Sequence, residues 1–254
     1  MKLQGNTILI TGGGSGIGEA LAHRFHDLGN QVIIAGRRKE ALERATAGRP
    51  NMHAMVLDIE SDGGISIFAE KLLAAYPRLN VLINNAGIMR FEALDAPRDL
   101  SDAEATITTN LLGPIRLINA LIGHLAKMPD AAIINVTSGL AFVPLTSTPT
   151  YNATKAALHS YGISLREALK GKIEVIELAP PAVQTGLTPG QETRPGYQPL
   201  SEFTGEVMDL FAQQPTPREI LVERVGFLRF AEAEKRFDET LAQLNEFAAK
   251  AREG

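Results

Sequence analysis

Short apolar runs alternate with longer stretches of helical period along the chain. The runs lie at residues 7–11, 31–35, 53–57, 80–84, 131–137, 173–178 and 219–222. Their lengths suit strands, and turn-forming residues follow most of them. Ala131, Ala132, Ile133, Ile134 and Val136 make the fifth run apolar almost throughout, the pattern of a strand covered on both faces. Helical spacing fills 16–28, 39–46, 65–76, 103–127 and 151–169. Strand–helix alternation of this kind predicts an α/β fold, a doubly wound parallel sheet of about seven strands with helices on both faces.

No Pro/Ser-rich linker or charge block interrupts this spacing before residue 180, so residues 1–254 read as one domain. Residues 180–199 hold five Pro and three Gly, too many for a helix or a central strand. They predict a long surface loop, with a mobile substrate loop at about 183–203. Residues 201–213 read as helix, and the tail, about 223–250, as helix packed on the body.

Composition narrows the function. The 254 residues are 44% hydrophobic and 21% charged, carry a net charge of −4 and contain no Cys. A disulfide framework, a thiolate metal site and a Cys nucleophile are therefore excluded. The acidic balance argues against a nucleic-acid partner. Without an apolar segment of about 20 residues or a secretory signal, the expectation is a cytoplasmic protein away from membranes. His23 and His26 are expected on the solvent side of the first helix, and no metal site is expected.

Directly after the first strand stands Thr11-Gly12-Gly13-Gly14-Ser15-Gly16-Ile17-Gly18, opening a helix. Glycines let backbone approach a ligand closely, and a helix N-terminus offers unpaired N–H groups and the positive end of its dipole. Gly12, Gly14, Ser15, Gly16, Ile17 and Gly18 are thus candidates to hold a pyrophosphate in a Rossmann-like βα unit. The second strand ends Ala35-Gly36-Arg37-Arg38, with no acid to bond a ribose 2′-hydroxyl. A guanidinium binds a 2′-phosphate, which a carboxylate repels. Arg37, then Arg38, are the candidates for that contact, and NADP(H) is favoured over NAD(H).

Tyr151 and Lys155 stand at i and i+4, on one helix face. A phenol is a poor acid–base group at neutral pH, but a neighbouring ammonium stabilises its phenolate. Ser138 ends the fifth strand, placed to hydrogen-bond a substrate oxygen.

The glycine-rich segment, Asn84-Asn85-Ala86-Gly87, Asn110, Ser138 and Tyr151…Lys155 together resemble, in order and spacing, the short-chain dehydrogenase/reductase family over about residues 5–185. The resemblance implies hydride transfer between nicotinamide and a carbonyl or secondary alcohol, without metal. By it, Tyr151 is the general acid/base, and Lys155 lowers the Tyr151 pKa and holds the nicotinamide ribose. Ser138 positions the substrate oxygen, and Asn110 sits at a helix bend and holds a water of the proton relay. Asp58 would bond the adenine amino group beside Ile59, while Asn84, Ala86 and Gly87 shape the cofactor floor. Pro180 is carried over, as are Val183 and Thr185 toward the carboxamide.

The pattern departs in two places. Pro181 stands where the family commonly has Gly, and the usual Asp-Gly-Gly after the last strand is replaced by Glu219-Ile220-Leu221-Val222-Glu223. The second departure favours a homodimer over a tetramer, with 103–127 and 151–169 as the dimer surface implied by resemblance. Phe227-Leu228-Arg229-Phe230 is similar to a subgroup of the family encoded beside bacterial lipoteichoic-acid D-alanylation enzymes.

The substrate reading stays open. Residues 139–145 are apolar and suit a neutral or hydrophobic carbonyl if they line the pocket, or they simply pack under the lid. Arg90 and Arg194 are placed to recognise an acid. An NADP-dependent carbonyl reductase or alcohol dehydrogenase is the leading expectation. An NAD-dependent dehydrogenase and a non-catalytic nicotinamide-binding regulator are the alternatives.

Overall fold

All seven strands form, and in the computed structural model, which describes residues 1–253, they lie parallel in one sheet of order β3-β2-β1-β4-β5-β6-β7. The strands are β1 (Thr7–Thr11), β2 (Gln31–Gly36), β3 (Met52–Val56), β4 (Val81–Asn84), β5 (Ala132–Val136), β6 (Glu174–Leu178) and β7 (Glu219–Ile220). Ile8 is in register with Val32 on one side and Val81 on the other. The chain winds outward from β1 to β3, then returns to β4 on the opposite side. That reversal between β1 and β4 leaves a crevice at the carboxyl ends of the strands, where ligands of open α/β sheets bind.

Alternation along the strands sorts the core into two layers. Ile8, Ile10, Val32, Ile34, Val81 and Ile83 pack with Leu21, Phe25, Phe203 and Phe211. Those side chains come from α1 (Gly16–Asp27) and α7 (Leu200–Ala212). Leu9, Ile33, Leu82 and Ile133 face the other way, toward Ile65, Phe68, Leu72, Leu117 and Leu121. These belong to α3 (Asp62–Ala75) and α5 (Gly113–Leu125). The Phe25 and Phe211 rings meet at 5.8 Å, tilted by 60°, a pairing that adds about 1 kcal/mol to the burial of the two rings.

The structure differs from expectation at several elements. The stretch 103–127 is not one helix but α4 (Ser101–Ile107), a π-helical turn over Thr108–Leu112, and then α5. The tail divides into α8 (Glu223–Arg229) and α9 (Phe237–Glu253), separated by a turn in which Lys235 takes φ 58°. β7 spans two residues rather than four, pairing with β6 through Glu219 and Ile220 alone. His23 and His26 do not simply flank solvent. Their Nε2 atoms meet the carbonyls of Ala45 and Pro50, at 2.9 and 2.6 Å, and tie α1 to α2 (Lys39–Thr46) and to the segment after it.

Residues 180–199 are anchored from within. Val183, Thr188, Gln191 and Gln198 are buried. Gln191 Nε2 donates to the Val183 carbonyl at 2.9 Å, and Thr188 Oγ1 donates to Gln191 Oε1 at 2.8 Å. Val143 of the apolar stretch 139–145 is fully buried against Leu228, Ala231 and Phe237 of the tail. Asn245 Oδ1 accepts from the Thr146 N–H and hydroxyl, at 2.8 and 2.7 Å. Packing beneath the tail therefore describes Val143. Among the described residues, no helix is long and apolar enough to cross a membrane.

Candidate functional site

The carboxyl ends of β1, β2, β4, β5 and β6 open onto one cavity of about 520 Å³. The turn after β1 forms its floor. Thr11 Oγ1 accepts the N–H groups of Asn85 and Ala86, each at 3.0 Å, and Asn85 Nδ2 donates to the Thr11 carbonyl. The turns after β1 and β4 are thereby clamped together. Gly12 takes φ +67° and Gly16 φ +56°, backbone that glycine adopts at no steric cost. Gly18 serves packing instead: a Cβ there would lie 2.4 Å from Asn85 Nδ2 and from the Gly12 carbonyl.

Helix α1 starts at Gly16, and its N-cap Ser15 makes no side-chain capping bond. The first-turn N–H groups therefore have no partner within the helix. Ser15 Oγ instead accepts from Arg38 Nη2 at 3.3 Å. Arg37 Nη1 lies 2.9 Å from Glu60 Oε1, an ion pair largely open to solvent. Ile59 is buried and lines the cavity, whereas Asp58 is exposed and outside the lining, with Oδ1 accepting the Glu60 N–H at 3.1 Å.

At the other end, α6 (Pro149–Ala168) presents Tyr151 and Lys155 one turn apart, both buried and both lining the cavity with Ser138. Burial pushes the Tyr151 phenol up to about 12, and the neighbouring Ser138 hydroxyl pulls against that rise. Burial pushes the Lys155 ammonium down to about 8. Lys155 Nζ donates to the Val136 carbonyl at 2.8 Å and lies 5.5 Å from the Tyr151 ring centroid. Desolvation, rather than the ammonium expected to lower it, thus dominates the phenol. Ser138 Oγ accepts the Leu140 N–H at 3.1 Å.

Asn110 occupies the π-helical turn, fully buried. Its Oδ1 accepts the Ile88 N–H at 2.9 Å, and its Nδ2 donates to the Ile88 carbonyl at 2.8 Å and to Thr154 Oγ1 at 3.3 Å. The bend is held by this cross-chain bridge. Asn84 sits below the lining, donating to Asn135 Oδ1 at 3.0 Å. Gly12, Gly14, Ser15, Gly16, Ile17, Arg37, Arg38, Ala86, Gly87, Pro180, Val183 and Thr185 all line the cavity, while Asn84, Gly18, Asp58 and Asn110 do not.

Pattern reading missed Thr11 and Asn85, although both stand inside the motifs it used, and Gln191, which holds Val183 and Thr185. It also missed a cluster around buried Glu177. Glu177 accepts from Thr137 Oγ1 at 2.6 Å and from His159 Nδ1 at 2.7 Å, while Glu219 is paired with Arg229. His159, Glu177 and Glu219 have a spacing that suits a metal, but Thr137 and Arg229 already occupy the two carboxylates. The Glu177 hydrogen bond holds the His159 imidazole above its ordinary pKa.

The family model for short chain dehydrogenase matches residues 6–195. The chain is 41% identical over 249 residues to the oxidoreductase DltE of Bacillus subtilis (strain 168), covering 96% of this chain and 98% of that one. The structure of 3-ketoacyl-(acyl-carrier-protein) reductase from Brucella melitensis complexed with NADH superposes with a TM-score of 0.76 at 28% identity. That match covers 85% of this chain and 94% of the other. The closed form of serine dehydrogenase complexed with NADP+ gives a TM-score of 0.74 at 25% identity, covering 82% and 89%.

Proposed function

Because the chain belongs to the short-chain dehydrogenase family, oxidoreductases on a nicotinamide-binding fold, we propose that it is an NADP(H)-dependent oxidoreductase acting on a carbonyl or secondary alcohol, with Tyr151 as general acid/base. The observation that carries this reading is one cavity in which buried Ser138, Tyr151 and Lys155 share a lining with the glycine-rich turn and three arginines.

The residues present fit the cofactor. The uncapped start of α1 suits a pyrophosphate. Arg37 and Arg38 suit a 2′-phosphate, Arg37 by exchanging its solvent-open contact with Glu60. Ile59 offers the adenine an apolar wall, and Asp58 would turn from Glu60 to its amino group. Ala86, Gly87 and Pro180 form the floor with Asn84 beneath, and Val183 and Thr185 receive the carboxamide. When bound, the nicotinamide supplies or accepts the hydride.

The chain's own part is the proton. In reduction Tyr151 donates its phenolic proton to the substrate oxygen, and in oxidation it takes that proton back. Ser138 orients the same oxygen. Lys155 keeps an ammonium beside the phenolate that reduction leaves, and Asn110 fixes the bend behind both. We place the dimer contact, in the cytoplasm, on the helices around exposed Leu112 and Ile163.

The test is a binding titration with NADPH and NADH, followed by a carbonyl panel. Preferential NADPH binding with turnover is the expected result. Tight binding without turnover on any carbonyl would replace this reading with a cofactor-binding regulator.

A further inference from the structure

Four cationic side chains line the cavity, Arg37, Arg38, Arg90 and Lys155, and no Asp or Glu does. This is selective in a chain whose net charge is −4. Under the function proposed above, Arg37 and Arg38 are assigned to the cofactor and Lys155 to the proton. Arg90 has no assignment. It follows β4, whereas Arg37 and Arg38 follow β2 on the far side of β1, so two strand spacings of roughly 4.8 Å separate the strands that carry them.

The backbone that carries Arg90 is fixed against the catalytic helix. Ile88, two residues earlier, has both its N–H and its carbonyl held by Asn110, and Asn110 reaches Thr154, the neighbour of Lys155. The guanidinium itself is loosely held. Its one ion pair among the described residues is Nε to Asp102 Oδ1 at 3.4 Å, with the two side chains 48% and 61% exposed. An exposed pair of this kind contributes little and exchanges readily. An arginine with its fork free prefers a bidentate oxyanion.

We infer that Arg90 is a specificity-determining residue, and that the substrate is a carbonyl compound, or its alcohol, bearing an anionic group such as a carboxylate, sulfonate or phosphate. Binding exchanges the Asp102 contact for the substrate anion, which holds the carbonyl against Ser138 and Tyr151. The inference deepens the proposed function and rests on it. The apolar stretch 139–145 does not oppose it, since Leu140, Ala141, Pro144 and Leu145 line a separate groove and Val143 packs under the tail.

The experiment compares NADPH-dependent reduction of 4-oxobutanoate and 2-oxoethanesulfonate with that of butanal, in the wild type and in Arg90→Gln, Arg90→Lys and Asp102→Asn. The expected result is a higher kcat/KM for at least one anionic carbonyl than for butanal. Arg90→Gln then lowers that preference ratio by about tenfold or more, through KM rather than kcat. Arg90→Lys recovers part of it, and Asp102→Asn, at an exposed position, lowers the KM for the anion. Butanal reduced as well as or better than both anions, or a ratio unmoved by Arg90→Gln and Asp102→Asn, would overturn the inference and leave the reductase reading intact. Bound NADPH with no carbonyl reduced would overturn both.

Discussion

Glu92 holds Thr150 from fifty-eight residues away, its carboxylate accepting the Thr150 N–H at 3.1 Å and the Thr150 hydroxyl at 2.7 Å. Thr150 lies in the first turn of α6, next to Tyr151, so a side chain following β4 caps the helix that presents the phenol. Burial raises the Glu92 pKa, but Thr150 and Arg98 outweigh it and hold the carboxyl below its ordinary 4.5. The stability this gives is present above that value and lost as pH falls through the folded one. Glu92→Ala should cost about 2 kcal/mol at pH 7 and lower kcat, with the stability gap narrowing in acid. Urea unfolding at pH 7 and at low pH checks both, and a gap constant with pH would refute the cap.

Tyr151→Phe removes the proposed donor without changing the shape of the ring. Reductive turnover should fall by about 10²–10⁴-fold, while NADPH affinity changes little. With the phenol pushed up to about 12, its protonated donor form persists through neutral and mildly alkaline pH. Alcohol oxidation, which needs the phenolate, should therefore climb as pH rises, with no matching alkaline loss of reduction from this group. Initial rates in both directions across pH decide it; substantial residual reduction by Tyr151→Phe would place the donor elsewhere.

Arg37→Ala should weaken NADPH binding by about 1–3 kcal/mol, the size of a lost charge-assisted bond, and leave NADH binding nearly unchanged. Fluorescence titration with each dinucleotide is the measurement. Equal losses would mean that Arg37 does not read the 2′-phosphate.

Lys155 burdens the fold. Its ammonium is buried and pushed from an ordinary 10.5 down to about 8. Between those values the unfolded chain binds more protons than the folded one, so stability rises with pH across that window. Lys155→Met removes the buried charge and should stabilise the protein at pH 7 on the order of 2 kcal/mol, after deducting the lost Val136 contact. By pH 10 the advantage should largely vanish. Urea midpoints of the two proteins at both pH values test the sign, and a variant less stable at pH 7 contradicts it.

Much of this was legible because it is periodic or local. The strands announce themselves by continuous apolar runs, and Gly12 through Gly18 by spacing. What escaped pattern depends on partners far along the chain. The break in 103–127 is signalled locally by Gly113-Pro114, since Pro114 has no N–H to bond the Asn110 carbonyl, but the amide bridge from Asn110 to Ile88 is not. The division of the tail follows from Ala231 entering the cluster with Val143. Asp58 and Arg37 illustrate a second limit: a motif places a residue at a strand end, but the direction of its side chain is set by neighbours such as Glu60.

Asn245 of α9 secures Thr146, in the loop that leads into Tyr151, from ninety-nine residues further along the chain. On a ribosome adding about 5–20 residues per second, β1 through β4 can pair while most of the second half is still unmade. The loop before Tyr151 gains the Asn245 hydrogen bonds only after a further ninety-nine residues beyond Thr146 have been made. A nascent or truncated product can thus carry a finished nucleotide crevice and an unfinished chemical end, so its ability to capture dinucleotide is no measure of its competence to turn over.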